Sequence, residues 1–228
     1  MEKISISNVV EFRRKSPASQ ITLMNNLRKI KKDESSSESK GNYWIHSLST
    51  VSTVFVSEQT DLLSEKIDVL HEKHQKATAR ISKTMYNRNI DILHNFEDFD
   101  FSQLKPHCEI KLLSKPKSKS IITIEGVPIQ VLPHHVYSFK VKGVQKIGAI
   151  WFVAKIGGYR IEELAFFTDA LYRYLNVNYS DKFVVDSVFC SSVDVMSLAN
   201  LPYDQISKRK IPTLLNHTLK GIKVLIIE

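Results

Sequence analysis

The longest nearly unbroken apolar run in the chain is Ile147-Gly148-Ala149-Ile150-Trp151-Phe152-Val153-Ala154, closed by Lys155-Ile156 and the pair Gly157-Gly158. Such a run, bounded by glycines, predicts a strand buried on both faces and then a tight turn. From Tyr159 to Asn176 the spacing becomes helical, with Leu171 and Leu175 taking the core face. Strand, turn and helix together predict one α/β unit around which the remaining elements are arranged.

Upstream, Ser7 or Asn8 can cap a helix ending near Arg14, and Ser16-Pro17 starts a second, with Ile21, Met24 and Leu27 on one face. Residues 31–41 carry no apolar anchor and predict a flexible loop. Trp44, Leu48, Val51 and Phe55 share a helical face. Leu63, Ile67, Leu70, His74, Ala77 and Ile81 recur at alternating spacings of four and three, which predicts one long helix from Thr60 to Phe96. Its seam either packs on the chain's own domain or pairs with a partner protein as a coiled coil. Phe99 and Phe101 then point to a helix exit plugged into the core; the acids around them lack the spacing and glycine of a calcium loop.

Beyond Pro106 the pattern turns strand-like. Ile121 to Ile124, Pro128 to Leu132 and His135 to Val141 read as strands, as does Phe183 to Met196. Ile211-Pro212 opens a last helix, which Gly221 is expected to end before the apolar tail at Val224 to Ile227. The fold class expected is α+β or α/β. Residues 1–105 form a mainly helical region with one long helix; residues 106–228 form an α/β domain, a mixed sheet flanked by helices with a β-β-β-α-β core.

Composition adds a direction. With 32 Lys+Arg against 24 Asp+Glu the formal charge is +8, which favours a polyanion such as nucleic acid. Candidate contacts are Arg13, Arg14 and Lys15, the run containing Lys115, Lys117 and Lys119, and Arg173 beside Tyr172. The first cluster equally suits a solvated helix end, where cations complement the dipole. Cys108 and Cys190 have no metal-like spacing, so neither a zinc site nor a disulfide framework is expected, and a reducing, cytoplasmic setting is. No signal-peptide pattern and no run of membrane-spanning length occurs, so no membrane association is expected. His134-His135 would place only one ring on a given side of a strand. Gly157-Gly158 lacks the rest of a phosphate-binding fingerprint.

The three strands from Ile121, the last of them ending near Lys155, followed by a helix and a further strand, resemble the restriction-endonuclease-like, or PD-(D/E)XK, nucleases over residues 121–222. The resemblance implies acids on neighbouring strands that hold Mg²⁺ and a lysine that helps activate water. It assigns Lys155 to that lysine, Glu125 to one acid, and Glu162 or Glu163 on the following helix to the other. Val153 stands where the motif requires an acid. The function expected is therefore a non-catalytic module binding nucleic acid or a partner protein without a cofactor. The alternatives are an Mg²⁺-dependent nuclease and a protein that associates through the helix at 60–96.

Overall fold

The computed structural model describes residues 3–29, 43–114 and 120–227. A five-stranded mixed sheet forms its centre, in the order β2 (Ile110–Leu112), β5 (His135–Val141), β6 (Val144–Val153), β7 (Val184–Asp194), β8 (Ala199–Pro202). Only β6 and β7 run parallel, and α6 (Ile161–Tyr179) connects them. A smaller sheet pairs β1 (Ile4–Ser5) with β4 (Val127–Gln130) in parallel, and β4 with β3 (Ile121–Ile124) antiparallel. The strands expected to form one consecutive set are thus shared between two sheets. In the larger sheet the chain order is β2, β5, β6, α6 and β7, with Ile110–Leu112, outside the expected set, as its first strand.

Two hairpins rest on one device. Glu125-Gly126 joins β3 to β4 and Lys142-Gly143 joins β5 to β6, all four residues having φ between 48° and 83°. This is the left-handed pair of a two-residue turn whose twist suits antiparallel strands.

Alternate side chains of the large sheet enter two cores. Val136, Ile147, Ala149, Val153 and Cys190 face the first, built with α1 (Ile6–Arg14), α2 (Pro17–Lys29), α6, α8 (Leu215–Ile227) and the small sheet. Tyr137, Phe139, Ile150, Phe152 and Val193 face the second, closed by α3 (Ile45–Ser57), α4 (Asp61–Lys76) and α5 (Arg80–Asn95). A short α7 (Tyr203–Ser207) follows β8. Each core draws on residues from both sides of position 105: the first helices lie on one face of the sheet and the next three on the other.

The expected long helix is two helices. The chain turns extended at Ala77 and Ala79, and α4 and α5 fold back on each other. The physical reason is phase: at about 100° per residue a continuous helix would set Leu63 and Ile90 about 180° apart. Breaking it buries Leu63, Ile67 and Leu70 together with Ile90, Leu93 and Phe96 in one core. The seam is consumed internally, and Ile81, expected to continue it, is 74% exposed at the hairpin tip. The last helix also departs from expectation. Gly221 lies inside α8, where only Phe12 approaches it, and the helix runs on through the apolar tail.

Among the described residues no helix is long and apolar enough to cross a membrane.

Candidate functional site

The site begins where β6 leaves the sheet. Val153 pairs with Asp194, the last residue of β7, and the chain then turns through Lys155 and the glycine pair into α6. Asp194 is fully buried and anchors this turn: its carboxylate accepts the backbone N–H of Tyr159 at 2.9 Å, that of Met196 at 3.2 Å and the Ser197 hydroxyl at 2.8 Å. A Cβ at Gly158 would lie 2.7 Å from Asp194 Oδ2, and φ there is +72°. Only glycine combines that left-handed backbone with that close approach.

Beside the turn opens a cleft of ≈ 880 Å³. It is bordered by the first residues of α1, by Tyr43 and Trp44 ahead of α3, by Gln130 and Leu132 at the end of β4, and by Trp151, Val153 and Lys155. Trp151 and Tyr159 both meet Phe167 of α6 edge-on, with ring centroids 5.3 and 5.0 Å apart. Burial raises the Tyr159 hydroxyl pKa, and a hydrogen bond with Ser7 pulls the other way. His134 also borders the cleft, and its Nδ1 accepts the Phe152 N–H at 3.2 Å.

A buried amide sets the opposite wall. Asn89 of α5 donates to the Tyr43 carbonyl at 2.9 Å and the Met85 carbonyl at 2.8 Å, while its Oδ1 accepts the Ser47 N–H at 2.9 Å and hydroxyl at 2.8 Å. Every hydrogen-bonding position of the amide is used. The head of α3 is thereby fastened to α5, and Tyr43 packs edge-on against Trp44 with centroids 4.7 Å apart.

Charge at the cleft is asymmetric. The Arg14 guanidinium grips both carboxylate oxygens of Glu163, which also accepts the Arg160 N–H at 2.9 Å. Burial alone would raise the Glu163 pKa, but Arg14 and the Arg160 N–H bring it below the usual glutamate value. Glu11 pairs with Lys15 at 3.1 Å. Lys155, whose ammonium lies 5.8 Å from the Tyr159 ring centroid, has no ion pair among the described residues. Partial burial, then the nearby Arg14, lower its pKa, while Glu163 and Glu11 act against the shift.

Of the residues assigned by the nuclease resemblance, Lys155 and Glu163 lie near enough to act on each other's charge, and Glu125 perturbs neither. Glu125 sits in the β3–β4 turn, 3.9 Å from Lys220 of α8. Gln130, which borders the cleft, is five residues further along the hairpin, roughly 15 Å at strand rise. Glu162 is exposed on the first turn of α6, and Glu163 is occupied by Arg14. Val153 is buried in the first core. Among the described residues no three His, Cys, Asp or Glu side chains gather as a metal cage. An Mg²⁺ ion needs carboxylates free to replace part of its hydration shell; Glu163 is committed to Arg14 and Glu125 lies beside Lys220.

Of the basic candidates, Arg14 is committed to Glu163 and Arg13 borders a separate groove between α1, α2 and α8. Arg173 is clamped on Asp169, Nε to Oδ1 at 2.9 Å and Nη2 to Oδ2 at 3.1 Å, while Tyr172 stacks on Tyr203 at 3.7 Å. Lys115, Lys117 and Lys119 lie outside the described residues, as does the segment 31–41. The two histidines diverge as strand geometry requires: His134 borders the cleft, and His135 Nε2 lies 2.7 Å from the Ser52 hydroxyl.

Sequence reasoning did not foresee the aromatic wall, since Tyr43-Trp44, Trp151 and Tyr159 come from three separate segments. It also missed Asp194 and Asn89, whose roles depend on backbone groups distant in the chain. No family model, no curated protein and no solved structure matches this chain.

Proposed function

We propose that this protein binds single-stranded nucleic acid without cleaving it, taking an unpaired base into the cleft at the end of β6. The observation that carries this reading is the pairing of an aromatic wall, Trp44, Trp151 and Tyr159, with a cation, Lys155, that makes no ion pair among the described residues. Stacking on such rings is worth about 1–3 kcal/mol per base and tolerates any sequence, while a cation follows the phosphates. The position fits too: in α/β sheets ligands collect beyond the carboxyl ends of parallel strands, and β6 and β7 are the parallel pair. The overall charge of +8 favours the same ligand class.

The chain has 2 tryptophans, and both border the cleft. Intrinsic fluorescence is therefore a specific reporter. Titration with oligothymidylate or oligouridylate at low salt is expected to quench tryptophan emission. Lys155→Ala and Trp44→Ala should each weaken the interaction about tenfold, without loss of the folded circular-dichroism spectrum. Absence of quenching by either polymer at low salt rejects the reading. Incubation of the same oligonucleotides with Mg²⁺ or Mn²⁺ tests the alternative; cleavage by the wild type that Lys155→Ala abolishes would establish a nuclease instead.

A further inference from the structure

The outer face of the α4–α5 hairpin carries cations that the cleft does not use. Between Glu72 and Asp91 the sequence has no carboxylate, yet it contains Lys73, Lys76, Arg80, Lys83 and Arg88. Lys76 is 3.5 Å from Glu72, with both side chains mostly exposed, so that pair neutralises little. Lys73, Arg80 and Lys83 are exposed and have no ion pair among the described residues.

Lys73 lies on α4; Arg80, Lys83 and Arg88 lie along α5. Arg80, Lys83, Thr84 and Asn87 share its outer face, with Arg88 at the edge, while Asn89, Leu93 and Phe96 face inward. From Arg80 to Arg88 the row spans about 12 Å. It ends against the cleft: the Arg88 guanidinium lies 5.9 Å from the Tyr43 ring centroid, and its Nη1 donates to the Tyr43 hydroxyl at 3.1 Å. Tyr43 borders the cleft and packs on Trp44. Cations thus stand at the hairpin tip, Arg80 and Lys83, and at the aromatic wall, Arg88, with the uncharged Thr84 and Asn87 between them.

We infer that the α5 row is the backbone track of the nucleic-acid site: it binds successive phosphates of a single strand and delivers the strand past Arg88 and Tyr43 into the cleft. This rests on the cleft reading above, and extends it from one base to a path several nucleotides long. The row favours a nucleic acid over an anionic membrane because its cations do not stop around the exposed Ile81 at the tip but continue to Arg88, which meets Tyr43 at the cleft.

The test compares oligothymidylates of about four and about sixteen nucleotides, the range of single-strand site sizes, on the full chain. The double variant Arg80→Glu/Lys83→Glu is set against Lys140→Glu/Lys182→Glu, which carries the same change of net charge on exposed positions elsewhere. Thermal melting verifies that both pairs fold. The track predicts that Arg80→Glu/Lys83→Glu weakens the long ligand about tenfold or more and the short one less than threefold. The slope of log affinity against log salt for the long ligand should fall by about 1.4, at about 0.7 per phosphate contact. The control pair should cost less than threefold on either ligand. Equal losses in the two double variants, or no change in salt slope, overturn the track and leave the cleft reading standing. Loss of long-ligand binding without any tryptophan quenching by wild type overturns the cleft reading, and the track with it. Binding to phosphatidylserine vesicles that exceeds binding to the long oligonucleotide, and that Arg80→Glu/Lys83→Glu abolishes, also overturns the track and assigns the tip to a membrane surface.

Discussion

Helix α6 carries the same chemical pair twice, and the two copies differ in almost everything but chemistry. Near its start, Glu163 is gripped by Arg14, which comes from α1. Two turns further on, Asp169 is gripped by Arg173 of the same helix and also accepts the Thr213 hydroxyl at 2.7 Å. The second carboxylate is 2% exposed and locks α6 to the chain leading into α8. The first carboxylate is 11% exposed and lies near Lys155, and the two arginines are exposed alike, Arg14 by 37% and Arg173 by 33%. A buried carboxylate acts through what its loss would strand, whereas one beside Lys155 also sets the charge offered to a ligand.

The comparison can be broken most sharply at Asp169. Asp169→Ala removes the charged acceptor of the Arg173 guanidinium and the Thr213 hydroxyl, both of which solvent can reach, so a loss of about 2 kcal/mol is expected in urea unfolding. Oligonucleotide affinity, measured where the variant is folded, should not change. Glu163→Gln should cost less, about 1 kcal/mol at neutral pH, since the amide keeps an acceptor for Arg14 and only the charge is lost. Its difference from wild type should vary with acidity. Because the folded-state pKa of Glu163 is depressed, the stabilisation is complete above the ordinary glutamate range and is lost as pH falls through the depressed value. Melting temperatures of the two proteins should therefore converge in acid. Releasing Arg14 should at the same time strengthen oligonucleotide binding, about two- to threefold. An unchanged or weaker affinity would mean that Arg14 is not part of the ligand's electrostatic surroundings.

Lys155→Ala is expected to shift stability least, by under about 0.5 kcal/mol, because no ion pair is lost. Its signature is instead in binding at alkaline pH. The lowered amine pKa means that wild-type affinity should decline on the acid side of the ordinary lysine range, while Lys155→Arg, charged throughout, should hold its affinity there. Coincident pH profiles would show that Lys155 does not carry the charge the ligand meets.

These pairs also show where the chain could be read and where it could not. Asp169 and Arg173 stand four apart on a predicted helix, so their contact is available from spacing. Nothing near Glu163 indicates Arg14, because that contact exists only once α1 packs on α6. The same distinction runs through the fold. The β6–turn–α6 unit and the two glycine turns were legible because each is fixed by neighbours in sequence. The break at Ala77–Ala79 has no glycine or proline to announce it; only the phase conflict between Leu63 and Ile90 records it. The parallel pairing of Ile4 with Ile129 joins a two-residue strand to a hairpin across most of the chain, which no local pattern encodes.

The cleft's position between the two cores has a thermodynamic consequence. Ile6, Val153 and Phe167 belong to the first core and Leu48 and Phe152 to the second, yet all of them border one cavity. A ligand seated there touches both halves of the molecule, so its binding free energy is available only while the two are packed on the same sheet. At a ligand concentration about a hundredfold above Kd the folded state should gain about 2.7 kcal/mol. Amide hydrogen exchange should slow at the start of α1 and at the start of α3 together, turning two neighbouring packing units into one cooperative unit of unfolding.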